Sequence, residues 1–217
     1  MSISDNLYKI KSSLPANITL VVVTKTHPVE KLMEVYNAGH SIFGENKVQE
    51  MLEKQQPLPK DIQWHLVGHL QTNKVKLIAP FVSLIHSVDS LKLLKEINKQ
   101  ALKNNRVIDC LLQVYIAKEE TKFGLDFNEV EQLLNSEELK QLQNIKIVGL
   151  MGMATNTNNT EQIDKEFQSL NEFFQKLNTL NFQLQTLSMG MSSDYNIAIA
   201  NGSNMIRVGS SIFGNRS

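Results

Sequence analysis

Apolar and polar positions along this chain follow two periods that take turns. Residues 18–23 form a short, β-branched apolar run, the pattern of a strand buried on both faces. Pro28 then opens a helical pattern that reaches about Ala38, and Gly39 stops it. Strand-length runs recur at 40–43, 62–67, 81–86, 107–115, 145–148, 184–187 and about 205–208. Helical patterns fill the intervals at 47–54, 73–79, 90–103 and 127–134. A long helix is predicted to about 177, and an amphipathic one after Ser193. Lys122-Phe123-Gly124 reads as a loop. Ahead of the first strand, Ile3, Leu7, Ile10 and Leu14 recur at helical spacing, which predicts an additional N-terminal helix.

Strands alternating with helices imply an α/β fold with a parallel sheet. Eight such units favour a closed (β/α)8 barrel of the TIM type, a single domain over residues 1–217. An open doubly wound sheet is the alternative. The barrel is preferred on the count of eight and because no glycine-rich dinucleotide turn follows the first strand.

Charge and cysteine content narrow the partners. Lys+Arg and Asp+Glu are 22 each, so no nucleic acid or acidic membrane is suggested by charge. The single cysteine, Cys110, excludes an internal disulfide and sits in an apolar run, where a buried thiol is expected. Residues 1–14 lack the unbroken apolar core of an export signal, and no apolar run is long enough to span a bilayer. These features lead us to expect a soluble, cytoplasmic protein.

A barrel of this kind carries its site at the C-terminal ends of the strands, often with phosphate after strands seven and eight. The residues at those ends are Lys25, Asn46, His65, His86, Met151 to Met153, Ser192 and Arg207 to Ser210. The last two segments read as a phosphate cradle. Ser192 or Ser193 is a suitable N-cap beside free N–H groups, glycine at 209 permits close backbone approach, and Arg207 adds a fixed positive charge. Lys25 ends a buried apolar strand, where desolvation favours the neutral amine that attacks an aldehyde. An amine and a phosphate site in one mouth point to pyridoxal 5′-phosphate. His65 and His69 are four apart, but Gly68 separates them and no third ligand is placed, so no metal site is expected.

The segments 23–26, 43–50, 64–74, 149–153, 188–192, 207–209 and 212–214 together resemble one family, the YggS/PROSC group of pyridoxal phosphate homeostasis proteins. The resemblance covers nearly the whole chain. It implies a barrel like the N-terminal domain of alanine racemase, with the cofactor carried on Lys25 as an internal aldimine. By the same resemblance Ser192, Gly209 and Ser210 would hold the phosphate. Asn46 would lie near the ring oxygen, and His65 and Met151 would line the ring pocket. Arg207 would meet either the pyridine nitrogen or the phosphate. The implied role is pyridoxal phosphate supply, with apo-enzymes that need the cofactor as recipients and the chain itself a monomer.

No catalytic residue is assigned. Barrel-type racemases add a second domain, which is not expected here, and carbanion chemistry needs a placed acid or base. Of the tyrosines only Tyr115 falls at the mouth, where a packing role is expected. An amino-acid racemase is the alternative function.

Overall fold

The computed structural model describes residues 2–118, 123–180 and 182–214. Lys122 of the anticipated 122–124 loop lies outside them. Eight parallel strands close into a barrel in chain order: β1 (Thr19–Val23), β2 (Ile42–Glu45), β3 (Gln63–Leu66), β4 (Val82–Val88), β5 (Ile108–Val114), β6 (Ile145–Gly152), β7 (Thr186–Ser188) and β8 (Met205–Val208). β8 returns to pair with β1 over Thr19↔Met205 to Val22↔Val208, which closes the ring.

Helices follow each strand on the outside. They are α2 (Val29–Asn37), α3 (Val48–Gln55), α4 (Val75–Ile78), α5 (Leu91–Lys103), α6 (Phe127–Asn135), α7 (Glu137–Lys140), α8 (Thr160–Thr179), α9 (Tyr195–Ala200) and α10 (Ser210–Phe213). The anticipated N-terminal helix is α1 (Ile3–Ser13), opened by a Ser2–Asp5 capping box and buried through Leu7 and Ile10. It packs on α2 and on α10, where the Asn6 side chain donates to the Ile212 carbonyl at 3.0 Å. α7 and α10 were not predicted. Each is four residues long, too short to show a helical period.

Two apolar layers hold the fold. Val21, Leu84, Leu111, Val148, Met151 and Met205 cluster inside the barrel. Outside, the helices bury faces such as Leu32 and Val35 of α2 and Phe167 and Leu170 of α8. Trp64 of β3 meets the Phe43 ring of β2 edge-on at 5.9 Å, both side chains almost fully buried. Burying one such side chain stabilises the fold by about 1.5–3 kcal/mol. Cys110 is fully buried in β5, and burial pushes its thiol well above its ordinary range.

The seam between β7 and β8 is built differently from the others. Its ladder holds one register pair, Ser188↔Met205. Side chains supply further bonds. Asn204 Oδ1 accepts from the Leu187 N–H at 2.8 Å, and Asn204 Nδ2 donates to the Gln185 carbonyl at 2.7 Å. The buried Ser203 hydroxyl lies within 3.1 Å of the Leu187, Met189 and Met205 carbonyls. Among the described residues no helix is long and apolar enough to cross a membrane.

Candidate functional site

A cleft of about 320 Å³ opens at the C-terminal mouth of the barrel, within the size range of small-molecule sites. β1 contributes Val23 and, two residues on, Lys25, which is half-buried. Asn46 comes from the turn after β2, Val67 from the end of β3 and Met153 from the end of β6. The turn after β7 supplies Met191, Ser192 and Ser193, and β8 with its following turn supplies Arg207, Gly209 and Ser210. His27 and Gly214 complete the lining, the His27 ring stacked on Phe213 at 4.2 Å.

Six of the eight sequence-predicted residues therefore share one cleft: Lys25, Asn46, Ser192, Arg207, Gly209 and Ser210. The structure does not bring His65 and Met151 into its lining. Both are buried inside the barrel, His65 against His86 and Met151 in the inner apolar cluster. Val67 and Met153 occupy the mouth instead. Each follows the predicted residue by two positions, about 6–7 Å further along the strand direction.

The cradle differs in detail from its sequence reading. Ser192 does not cap α9, whose N-cap is Asp194. Its hydroxyl crosses to the other segment and accepts from the N–H groups of Gly209 and Ser211, each at 3.3 Å. The N–H groups of Ser192, Ser193 and Ser210 have no acceptor among the described residues. Gly209 is dictated by the strand behind it: a Cβ there would sit 2.9 Å from the Val23 carbonyl oxygen. Glycine at 68 has a similar reason, since its Cβ would fall 2.3 Å from the Asn46 carbonyl oxygen. That close approach seats the Asn46 turn against the end of β3.

Beneath the cleft runs a buried polar chain. Arg207 is 5% exposed. Its Nη1 donates to the Ser188 carbonyl at 2.9 Å and to Ser188 Oγ at 2.7 Å, and its Nη2 donates to the Gly152 carbonyl at 3.1 Å. Ser188 Oγ lies 3.2 Å from His86 Nδ1, and His86 Nε2 lies 3.1 Å from His65 Nδ1. Arginine only donates, so Ser188 Oγ accepts from Arg207, while the direction of the Ser188–His86 and His86–His65 bonds follows the tautomer of each ring. Burial keeps both rings neutral: His65 is pushed down to about 3 and His86 well below its ordinary value. Burial also lowers Arg207, to about 10, with Asp194 acting in the opposite direction, so the guanidinium stays charged at neutral pH.

His69 and His65 do not converge. His69 stacks on Phe123 at 4.5 Å and lies 3.4 Å from Asp89, while His65 points to His86. Among the described residues no group of three or more His, Cys, Asp or Glu is arranged to hold a metal ion. Tyr115 follows β5 and donates its N–H to the Leu125 carbonyl at 2.9 Å; it is not among the residues lining the cleft.

Comparison with known proteins places this geometry. Residues 1–217 match the family described as alanine racemase, N-terminal domain. A pyridoxal phosphate homeostasis protein of Aquifex aeolicus is 42% identical over 199 residues, covering 91% of this chain and 86% of that protein. Its namesake in Schizosaccharomyces pombe is 42% identical over 207 residues, covering 92% and 85%. The structure of PipY from Synechococcus elongatus PCC7942, with PLP bound, matches at a TM-score of 0.90 and 37% identity, over 98% of this chain and 100% of that one. Barrel, cleft and relatives agree: the chain belongs to the alanine racemase N-terminal-domain family and, within it, to the pyridoxal phosphate homeostasis proteins.

Proposed function

We propose that this chain binds pyridoxal 5′-phosphate through Lys25 and holds it for supply to enzymes that need it, without turnover of its own. The observation that carries this reading is the convergence in one cleft of an amine, unsatisfied backbone N–H groups from two turns, and a buried guanidinium. That donor set fits a phosphorylated aromatic aldehyde. Bound pyridoxal phosphate supplies an aldehyde that reacts with amines and a ring that stabilises carbanions.

The chain's own residues then divide the work. Lys25 Nζ is the amine that carries the aldehyde carbon. The N–H groups of Ser192, Ser193 and Ser210, with the Ser192 hydroxyl, hold the phosphate. Asn46 contributes at the ring oxygen, and Val67 and Met153 wall the ring. Arg207 is tethered to carbonyls at the ends of β6 and β7, away from the Ser210 turn, which supports a place at the pyridine nitrogen. A charged arginine there keeps that nitrogen unprotonated and weakens the ring as an electron sink. The chain is read as a monomer, with apo-enzymes as its recipients.

Two experiments test this. A charge-assisted bond contributes about 1.5–3 kcal/mol, so Ser192→Ala is expected to weaken pyridoxal phosphate binding roughly ten- to a hundredfold. Binding of unphosphorylated pyridoxal is expected to change little. Equal loss for both ligands would move the cradle elsewhere. Turnover is read by Cα deuterium incorporation into L-alanine or L-serine in heavy water, followed by mass spectrometry. A general acid or base contributes typically about 10²–10⁴ in rate, and no tyrosine lines the cleft to supply it. Exchange no faster than with free pyridoxal phosphate is expected. Exchange at an enzyme's rate, lost in Tyr115→Phe or His27→Gln, would make the chain a racemase-type enzyme.

A further inference from the structure

Lys25 sits between two residues that are both held by one ion cluster, buried at Glu45 and Lys54 and partly exposed at Glu50. On its N-terminal side, Thr24 is fully buried. The Thr24 carbonyl accepts from Lys54 Nζ at 2.8 Å, and its hydroxyl donates to Glu45 Oε1 at 2.5 Å. On its C-terminal side, the Thr26 N–H donates to Glu50 Oε2 at 2.8 Å. Lys54 Nζ joins the two carboxylates, 2.7 Å from Glu45 and 3.3 Å from Glu50. Glu45 ends β2, while Glu50 and Lys54 lie one turn apart on α3.

Two further observations separate this cluster from an ordinary ion pair. Thr26 has φ of 67°, a conformation that a β-branched residue adopts only under constraint from its surroundings. Glu45 Oε2 is buried with no hydrogen-bond partner. A buried ion cluster can often be replaced by apolar side chains with no loss of stability, so its presence here is not explained by stability alone. Burial raises the Glu45 carboxyl. Burial also acts to raise Glu50, but the Thr26 N–H and the Lys54 ammonium outweigh it and hold Glu50 below its ordinary value.

We propose that Glu45, Glu50 and Lys54 are positioning residues that fix the Lys25 amine in the cleft by clamping the chain on both sides of it and sustaining the strained turn at Thr26. This rests on the reading of Lys25 as the cofactor-bearing amine. None of the three lines the cleft. Without Glu50 the turn relaxes, Thr26 leaves the left-handed region, and Lys25 is redirected.

The test is a double-mutant cycle of Glu50→Ala and Thr26→Gly, read with two ligands. Pyridoxal 5′-phosphate reports the amine, through borohydride trapping and peptide mapping at Lys25. Pyridoxine 5′-phosphate has an alcohol in place of the aldehyde and reports the cleft alone. A strained turn of this kind costs about 1–3 kcal/mol, so Glu50→Ala is expected to weaken capture of the aldehyde by about five- to a hundredfold. Its binding of the alcohol is expected to stay within about twofold, a change of under 0.5 kcal/mol. Glu50→Gln keeps an acceptor for the Thr26 N–H and is expected to restore most of the capture. Glycine adopts a positive φ without strain. In the Thr26→Gly background, Glu50→Ala is therefore expected to lose little. Equal loss of both ligands in Glu50→Ala, or no restoration by Thr26→Gly in a variant that melts cooperatively, overturns the brace. A wild-type chain that binds the alcohol but traps no aldehyde on Lys25 removes the underlying reading and the brace with it.

Discussion

Lys25→Ala is expected to abolish the borohydride-reducible adduct and the visible absorption band of the lysine-bound cofactor. The effect should be all or nothing, because no second lysine lines the cleft among the described residues. Lys47 and Lys74, the nearest alternatives in the motifs of the sequence, are exposed and absent from that lining. The N–H groups of Ser192, Ser193 and Ser210 remain in the variant, so pyridoxal phosphate should still bind, reversibly and more weakly. Equilibrium dialysis reads the residual binding, and peptide mass mapping of the reduced wild-type protein reads the attachment point. An adduct at Lys47 or Lys74 would sink the assignment. So would a band that survives in Lys25→Ala.

Acidification from pH 7.5 to 5 is expected to destabilise the fold by several kcal/mol, before most carboxylates titrate. The cause is a set of buried histidines. Burial pushes His40 down to about 4 and His65 down to about 3, and holds His86 well below its ordinary value. In the unfolded chain each titrates near 6.5. Below that pH the unfolded state binds protons that the folded state refuses, so stability falls as pH falls. The loss begins near pH 6.5 and continues to about 4 for His40 and about 3 for His65. Each histidine contributes about 1.4 kcal/mol per pH unit, which gives an upper bound of roughly 6 kcal/mol for three histidines at pH 5. That is comparable to the whole stability of a typical domain. Urea unfolding at the two pH values measures it. His40→Gln removes one titrating group outside the polar chain under the cleft, and is expected to remove about a third of the pH dependence. An unchanged unfolding midpoint at pH 5 would contradict the burial of these rings.

The strands of the barrel were legible because fully buried parallel strands leave unbroken apolar runs, as at β1. Their ends were less legible. β6 runs on through Gly149, Leu150, Met151 and Gly152, where glycines hide the run, and β4 continues past His86 through Ser87 and Val88. Alternation along a strand gives the face but not the depth: His65 and Met151 lie inside the barrel, while Val67 and Met153 line the cleft at its mouth. Lys25, Asn46, Ser192, Gly209 and Ser210 escaped this problem because they lie beyond the last strand residue. The Ser192 contact to Gly209 and Ser211 joins residues 17 and 19 positions apart, and no local pattern encodes such a contact. The same holds for the link between Thr26 and Glu50. The neutral state of His65 and His86 depends on burial inside the barrel, which neither residue's neighbours reveal.

A backbone ladder is indifferent to which side chains it carries, but a ladder made of side chains is not. At the β7–β8 seam main-chain bonds, such as Met189 N–H to the Met205 carbonyl and Asn204 N–H to the Leu187 carbonyl, are joined by side-chain bonds from Ser203 and Asn204. The two turns that form the cradle leave from these two strands. Point substitution at 203 or 204 can therefore alter how firmly the halves of the cradle are held together while every helix and strand keeps its place. The tightness with which a relative grips its ligand is thus open to adjustment from within the wall of the barrel, at residues that never touch the ligand.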